Sequence, residues 1–362
     1  TAVNQYARAT DHIDAIIKQV QILLDKGYAY EISDGIYYDL SKFKDYGKLS
    51  GRTSLEAEDA VSRIDENPEK RNPGDFALWK RSDAGEPAWQ APWFPGRPGW
   101  HIEDTAITET YFGPQYDLHG GGRDLIFPHH EAEIAQQEAA SGKVPFVKYW
   151  MHAGFLINKD KKMSKSEGNF ATAREMLEHY PQEVLRFYFL SAHYRSPLDY
   201  SSEAIAQAEA GVIRIAEFLE RLKFFEDKNP LAHQADKEIS EKINNLNEQM
   251  LAAMDDDFNT PQAIGLLFEA IRLVNQYIDE ERIDLHLVKK ILHIFDLFYS
   301  VFGIIPTESK GLLPEEVKEL IQKRQKAKDN KDFNSADELR HQIESLGYRI
   351  DDTKYGPLIK KK

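Results

Sequence analysis

The sequence predicts an α/β domain followed by a purely helical one, and three observations carry that expectation. From about residue 99 onward, short apolar runs alternate with a single helical stretch, which is the strand–helix–strand grammar of a parallel sheet. From Ser202 to Phe302, apolar residues recur at helical spacing through several long segments. Between the two blocks lies "KDKKMSKSEGN", residues Lys159 to Asn169, with Met163 as its only apolar residue.

Taken in order, Ile13, Ile16, Ile17, Val20, Leu23 and Leu24 mark one face of a first helix, with Thr10 or Asp11 as its cap and Gly27 at its end. "GIYYDLSKF" reads as a strand or hairpin arm, and 56–98, rich in Pro, Gly, Trp and charge, as an irregular insertion. "QYDLHGGGRDLIF" predicts a short buried strand running into a glycine turn. "PHHEAEIAQQEAASG" follows as a helix, with Pro128 near its start and Gly142 at its end, and "VKYWMHAGFLI" supplies the next strand. Thr172 and Glu175 form a capping-box pattern ahead of "REMLEHYPQEVLRFYFLSAHY". Four amphipathic segments between Ser202 and Phe302 read as a bundle, one of them restarting at Thr260 with Pro261 behind it. Beyond a linker at 306–314, a charged helix and a second helix opened by Ser335 precede "YRIDDTKYGPLIKKK".

Composition narrows the function classes. The chain's 362 residues suggest two to four domains, and 41% hydrophobic residues are enough to build their cores. No apolar run is long enough to cross a bilayer, and no signal peptide is visible at Thr1. The absence of cysteine removes disulfides and cysteine-based metal sites, which fits a cytoplasmic location. A net charge of −14 argues against a uniformly basic nucleic-acid glove but leaves room for local patches such as Lys323 to Lys328 and the terminal lysines.

The lysine loop is the first stretch with a chemical meaning. Lys162 and Lys165 are long-stemmed cations that can reach the phosphates of a nucleotide and offset charge developing at the α-phosphorus. Ser164 and Ser166 add hydroxyl donors, Met163 pins the loop to the protein body, and Gly168 permits a tight turn into the following helix. A lysine cluster by itself is more often a solvated loop. The complete "KMSKS" string, set between an apolar strand and a helical region, favours the nucleotide.

"KMSKS" resembles the second signature of class I aminoacyl-tRNA synthetases. Together with "GWHIED", "YDLHGGGRDLIFPHHEAEIAQ", "YWMHAGF" and "VLRFYFLSAHYRSPLDYS", it resembles the cysteinyl-tRNA synthetase family. The likeness is strongest from Lys70 to Ser202 and continues through "DDDFNTPQA" and "DDTKYG", so that it spans most of the chain. It implies a connective insertion over 1–98 and, over 99–201, the second half of a Rossmann-like nucleotide-binding catalytic domain with the lysine loop and a stem-contact region. A helical bundle then covers 202–305, and a small tRNA-binding region on the anticodon side covers 306–362.

The resemblance also implies the reaction and its partners. L-Cysteine is activated with ATP and Mg²⁺ to cysteinyl-adenylate and transferred to tRNA(Cys), and Zn²⁺ takes the substrate thiol. Lys162 and Lys165 fall on catalytic positions, and Lys162, Met163, Ser164, Lys165 and Ser166 on the ATP loop. His129 and Glu133 fall on two metal ligands; four residues apart on a helix, they share a face. His130 and Glu131 compete with them as outer or surface groups. Asp104 stands where the family usually carries a cysteine ligand; it either ligates the metal in its place or caps the following segment. Trp100 and His119 are expected to line the amino-acid pocket, and Gly120 to Gly122 to let backbone approach a ligand. "KRNPGDFALWK" is expected to brace the insertion chiefly by packing, with Lys70, Arg71 and Lys80 near phosphate.

The family's His-Ile-Gly-His signature and its first zinc cysteine do not occur in the sequence. The expectation is therefore a fragment of a longer enzyme, incomplete for catalysis by itself, or a shortened relative. Two rival functions remain: a ligase joining cysteine to an amino sugar, which the anticodon-side tail disfavours, and a non-catalytic tRNA-binding paralogue.

Overall fold

The computed structural model describes residues 3–52, 67–158, 161–162, 171–228, 237–280, 282–304, 314–353 and 356–361. The chain divides into two compact units, Thr1–Gly154 and Phe155–Lys362. Among the described residues no helix is long and apolar enough to cross a membrane.

The first unit opens with α1 (Ile13–Asp25), which buries Ile13, Ile16, Val20 and Leu23 and is followed by Gly27 at φ 76°. Its expected caps do not serve. Thr10 and Asp11 lie in a preceding 3₁₀ turn, Ala9–Asp11, and His12 is the N-cap without a side-chain bond. Strands β1 (Ala29–Ile32), β2 (Gly35–Tyr38), β3 (Phe76–Arg81) and β4 (Gly96–Pro98) form an antiparallel sheet in sequence order. The stretch expected to be irregular thus contributes two strands. Phe76, Leu78 and Trp79 are buried within β3, a pattern masked in the sequence by the surrounding Pro and charge.

"KRNPGDFALWK" owes most of its character to one buried carboxyl group. Asp75 accepts hydrogen bonds from Tyr30 Oη at 2.6 Å, Leu40 N at 2.9 Å and Asn72 N at 3.0 Å. Arg71 pairs with Asp39 and stacks over Tyr30, while Lys80 pairs with Asp34. At Gly99 a Cβ would fall 1.9 Å from the Ala77 carbonyl, so the chain leaves this sheet only through glycine.

Helix α2 (Trp100–Phe112) leads into β5 (Tyr116–Gly122), α3 (Glu131–Ser141) and β6 (Val147–Ala153). β5 and β6 are parallel, with Tyr116 opposite Val147 and Gly122 opposite Ala153. The expected strand–helix–strand unit is therefore present. Two details differ: β5 is half-exposed rather than buried, and Gly120 to Gly122 extend the strand instead of turning it. The turn is made by the short helical segments Arg123–Leu125 and Ile126–His130. Gly142, left-handed at φ 73°, ends α3.

In the second unit, β7 (Leu156–Asn158) lies between antiparallel β8 (Lys161–Lys162) and parallel β9 (Leu198–Asp199). The Thr172–Glu175 capping box opens α4 (Ala173–His179), and Pro181 separates it from α5 (Gln182–Leu190). Helices α6 (Ser202–Lys228), α7 (Lys237–Asp255), α8 (Thr260–Asp279) and α9 (Leu285–Phe302) share one core that includes Ile215, Phe218, Leu222, Leu267, Val274 and Phe295. The chain then forms α10 (Glu315–Asp329), α11 (Phe333–Ser345) and the hairpin β10 (Tyr348–Thr353) and β11 (Gly356–Lys361). Asp332, not Ser335, caps α11, accepting the Ser335 N–H. Buried Arg324 holds Asp352 through two 2.7 Å bonds, which keeps that carboxyl well below its usual range.

Replacing Asp75 by Ala strands a hydroxyl and two backbone donors in a buried place, at a cost of about 1–3 kcal/mol for each. Asp75→Ala is expected to lower the free energy of unfolding by several kcal/mol, read as a lower urea midpoint at unchanged slope. A loss below about 1 kcal/mol would remove Asp75 as the organiser of this motif.

Candidate active site

Residues 131–140 of α3 are buried without a break, although half of them are polar. Such burial requires a partner for each polar group, and the surrounding elements supply nearly all of them. Glu131 accepts the backbone N–H groups of Leu49 and Ser50, and Glu138 binds Lys48 and the Phe146 N–H. Gln136 donates to the His101 carbonyl and, at 2.7 Å, to Thr105 Oγ1, while Gln137 accepts from Gln19. Glu131 and His130 are therefore interior groups, not surface ones.

Gln136 Oε1 and Gln137 Nε2 lack a hydrogen-bond partner, but of the five polar residues at 131–140 Glu133 is the one with no hydrogen bond on either polar atom. It is wholly buried, and neither of its oxygens accepts a hydrogen bond. His129, one turn earlier, brings Nε2 to 2.9 Å from Glu133 Oε1 and to the same distance from Asp104 Oδ2. One ring hydrogen cannot serve both acceptors, and its hydrogen bond goes to Asp104. Asp104 reaches the site from the second turn of α2, so it is not a cap for that helix. His101 Nδ1 lies 2.6 Å from His129 Nδ1, and Trp100, more than half exposed, stacks on His129 with ring centres 4.1 Å apart. That exposure excludes ordinary core packing for Trp100.

His119, on β5, stands on the other side of Glu133. Its Nδ1 is 3.8 Å from Glu133 Oε2 and 2.5 Å from Tyr116 Oη, and its ring stacks on Trp150. His130 bonds His152 at 2.8 Å. At Gly121 a Cβ would meet the His130 ring at 2.6 Å, which gives one of the three glycines a concrete task. Two sets of donor atoms lie close enough together to hold one ion, Asp104 with His129 and Glu133, and His119 with His130 and Glu133. Sequence reasoning proposed the first set and weighed His130 as an outer or surface group, but it did not name His101 or His152. Only their position beside motif residues pointed to them.

The charges follow from this packing. Burial opposes a charge on His129, but the hydrogen bond to Asp104 and the Glu133 carboxyl outweigh it and hold the imidazole at about 9. Burial pushes Glu133 up to about 7 against the pull of His129. Burial and neighbouring imidazoles push His130 down to about 3, and burial brings His119 to about 4. A buried carboxyl with two unbonded oxygens, next to an imidazole and a second carboxyl, is a donor set whose chemistry suits Zn²⁺. In the lysine loop, Lys162 ends β8 opposite Ile157 in the backbone register. Met163, Ser164, Lys165 and Ser166 lie outside the described residues.

The order of strand, helix and strand, the lysine loop and the helical region behind it define a class I tRNA synthetase. Residues 2–210 match the family model for the tRNA synthetases class I (C) catalytic domain. A methionyl-tRNA synthetase from Mycobacterium tuberculosis shares the fold, with a TM-score of 0.58 at 18% identity over 77% of this chain and 67% of that one. A putative arginyl-tRNA synthetase from Campylobacter jejuni gives 0.56 at 13% identity over 85% and 65%. Residues 249–306 match a DALR domain and 310–356 a cysteinyl-tRNA ligase anticodon binding domain. The cysteine–tRNA ligase of Clostridioides difficile is 44% identical over 97% of this chain and 75% of its own length, and that of Thermococcus onnurineus is 43% identical over 98% and 76%. The chain belongs to the cysteinyl-tRNA synthetase family.

The metal-free protein has a predictable pH response. His129 contributes stability that is full below about 6.5 and lost as pH rises through about 9; Glu133 favours its protonated form and loses that contribution between about 4.5 and 7. Thermal unfolding of the metal-free chain is therefore expected at a lower temperature at pH 9 than at pH 6. Asp104→Asn is expected to flatten the alkaline part of the curve, and an unchanged curve would refute the assigned role of the His129–Asp104 pair.

Proposed function

We propose that the chain carries the cysteine-specific ligase chemistry of its family in the cytoplasm: L-cysteine and ATP give cysteinyl-adenylate and pyrophosphate, and the acyl group passes to tRNA(Cys) with release of AMP. The observation that carries this reading is Glu133, dry and unbonded beside His129 and Asp104. Asp104, His129 and Glu133 would hold Zn²⁺. Bound there, the ion supplies a soft Lewis acid that prefers a thiolate to the hydroxyl of serine, a distinction that apolar contacts around so small a side chain could not make.

The protein groups have separate tasks. With Nε2 turned to the ligand set, His129 donates its Nδ1 hydrogen to neutral His101, which fixes the ring's orientation. Trp100 covers His129 and keeps water from the amino acid, and His119, held by Tyr116, borders the same space. Lys162 and Lys165 offset negative charge on the phosphates as the cysteine carboxylate attacks the α-phosphorus. Met163 anchors their loop, Ser164 and Ser166 donate hydrogen bonds, and Mg²⁺ accompanies ATP. Regions 1–98, 99–201, 202–305 and 306–362 would serve as insertion, catalytic half, bundle and anticodon-side module; the family matches at 249–306 and 310–356 support the last two, while the match at 2–210 runs across the first two without dividing them.

In the intact protein, Lys165→Ala is expected to cut cysteine-dependent exchange of pyrophosphate into ATP by about 100-fold or more while leaving zinc content unchanged. Unaltered exchange would take Lys165 out of the mechanism. Glu133→Ala is expected to lower the zinc bound per chain, as measured by elemental analysis after dialysis. Full retention of zinc would refute the ligand assignment.

A further inference from the structure

Trp100 borders two spaces. Its ring rests on His129 on the metal side, and it also lines a cavity of about 330 Å³ that His129 does not line. Trp89 forms another wall of this cavity, Pro87 and Pro98 add apolar surface, and Arg97 and Thr10 bring polar atoms to it. The cavity is fixed by paired backbone: Trp89 and Gly96 exchange hydrogen bonds of 2.8 and 3.0 Å, and β4 joins β3 immediately behind them.

Three features specify the occupant. A volume near 300 Å³ is at the small end of ligand pockets and suits one flat ring system with its sugar. Two indoles, one of them 58% exposed, offer π-faces of the kind on which unstacked bases settle. Arg97 is the one cation among the lining residues and pairs through Nε with Glu86, while Glu103 adds a carboxyl group to the lining, so the cavity holds no cation cluster that would select a bare phosphate. We infer that this cavity receives an unstacked nucleobase of the RNA substrate, stacked against Trp89 and the side of Trp100 away from the ligand set. The inference rests on the ligase reading above and adds to it a place for the acyl-accepting end of the RNA. A base lodged there would sit one aromatic residue away from His129, close to where an activated amino acid is held. It would also press Trp100 against His129, so that arrival of the acceptor tightens the cover over the amino acid.

The test uses the intact protein and a tRNA(Cys) transcript carrying 2-aminopurine as its 3′-terminal base, with filter retention measured on the same samples. Stacking quenches 2-aminopurine emission, and quenching is expected on binding. Trp89→Ala is expected to reverse most of the quenching, with at most about a 10-fold weaker retention, whereas Trp89→Phe preserves it. Thr10→Trp, at an exposed position on the rim, is expected to fill the cavity and abolish quenching without altering the unfolding temperature, which covers the case of a poorly folded Trp89→Ala. Retained RNA with quenching unaffected by Thr10→Trp would overturn the cavity assignment alone. Loss of quenching on adding ATP would transfer the cavity to the adenine of ATP and overturn the RNA assignment. No retention of the transcript at all would overturn both this inference and the ligase reading.

Discussion

Everything near the candidate site depends on a carboxyl group placed where water cannot reach it. Glu133 occupies the third position of a helix buried on every side, and its neighbours on that helix each find protein partners. Leaving a carboxyl group unsatisfied in such a place costs several kcal/mol unless something binds it. The rest of the unit is arranged around that cost. Helix α2 brings Asp104 and His101, β5 brings His119, and the turn before α3 brings His129. The polar bonds of Gln136, Gln137, Glu131 and Glu138 then hold the helix in place.

The same constraint explains the glycines and aromatics of this region. Imidazole and indole rings fill the space between β5, β6 and α3, with His119, His130, Trp150 and His152 in mutual contact. The backbone must approach these rings closely, and Gly121 is where it does so. A ring-packed interior of this kind holds His119 and His130 neutral, with His129 set apart by its two carboxyl neighbours. Without metal, the site thus sets one protonated ring among several uncharged ones.

Much of this was legible in the sequence where periodicity was strong. The bundle helices and the β5–α3–β6 unit follow from apolar spacing and helix-ending glycine, and the Thr172–Glu175 capping box is formed as written. His129 and Glu133 could be paired because four residues bring two side chains to one face of a helix. What failed to show was tertiary. Asp75 joins nearby Asn72 to two donors more than 30 residues away, and β4 is only three residues long, so neither leaves a clear local pattern. The burial of Glu131 and His130 was hidden for a related reason: their partners, Leu49, Ser50 and His152, are distant in the chain. The start of α1 shows the weaker side of local rules, since a 3₁₀ turn displaced the expected capping residues.

The division of the chain at Gly154 has a bearing on how the protein is made. Every side chain that holds Asp104, His129 and Glu133 belongs to Thr1–Gly154. Asp104, His129 and Glu133, with the glutamines and glutamates around them, are therefore all synthesised before the first residue of the bundle. Because domains fold as units from the N-terminal side during translation, these three side chains would be brought together while the bundle is still to be made, and an ion held by them would act as an early clamp on the growing polypeptide.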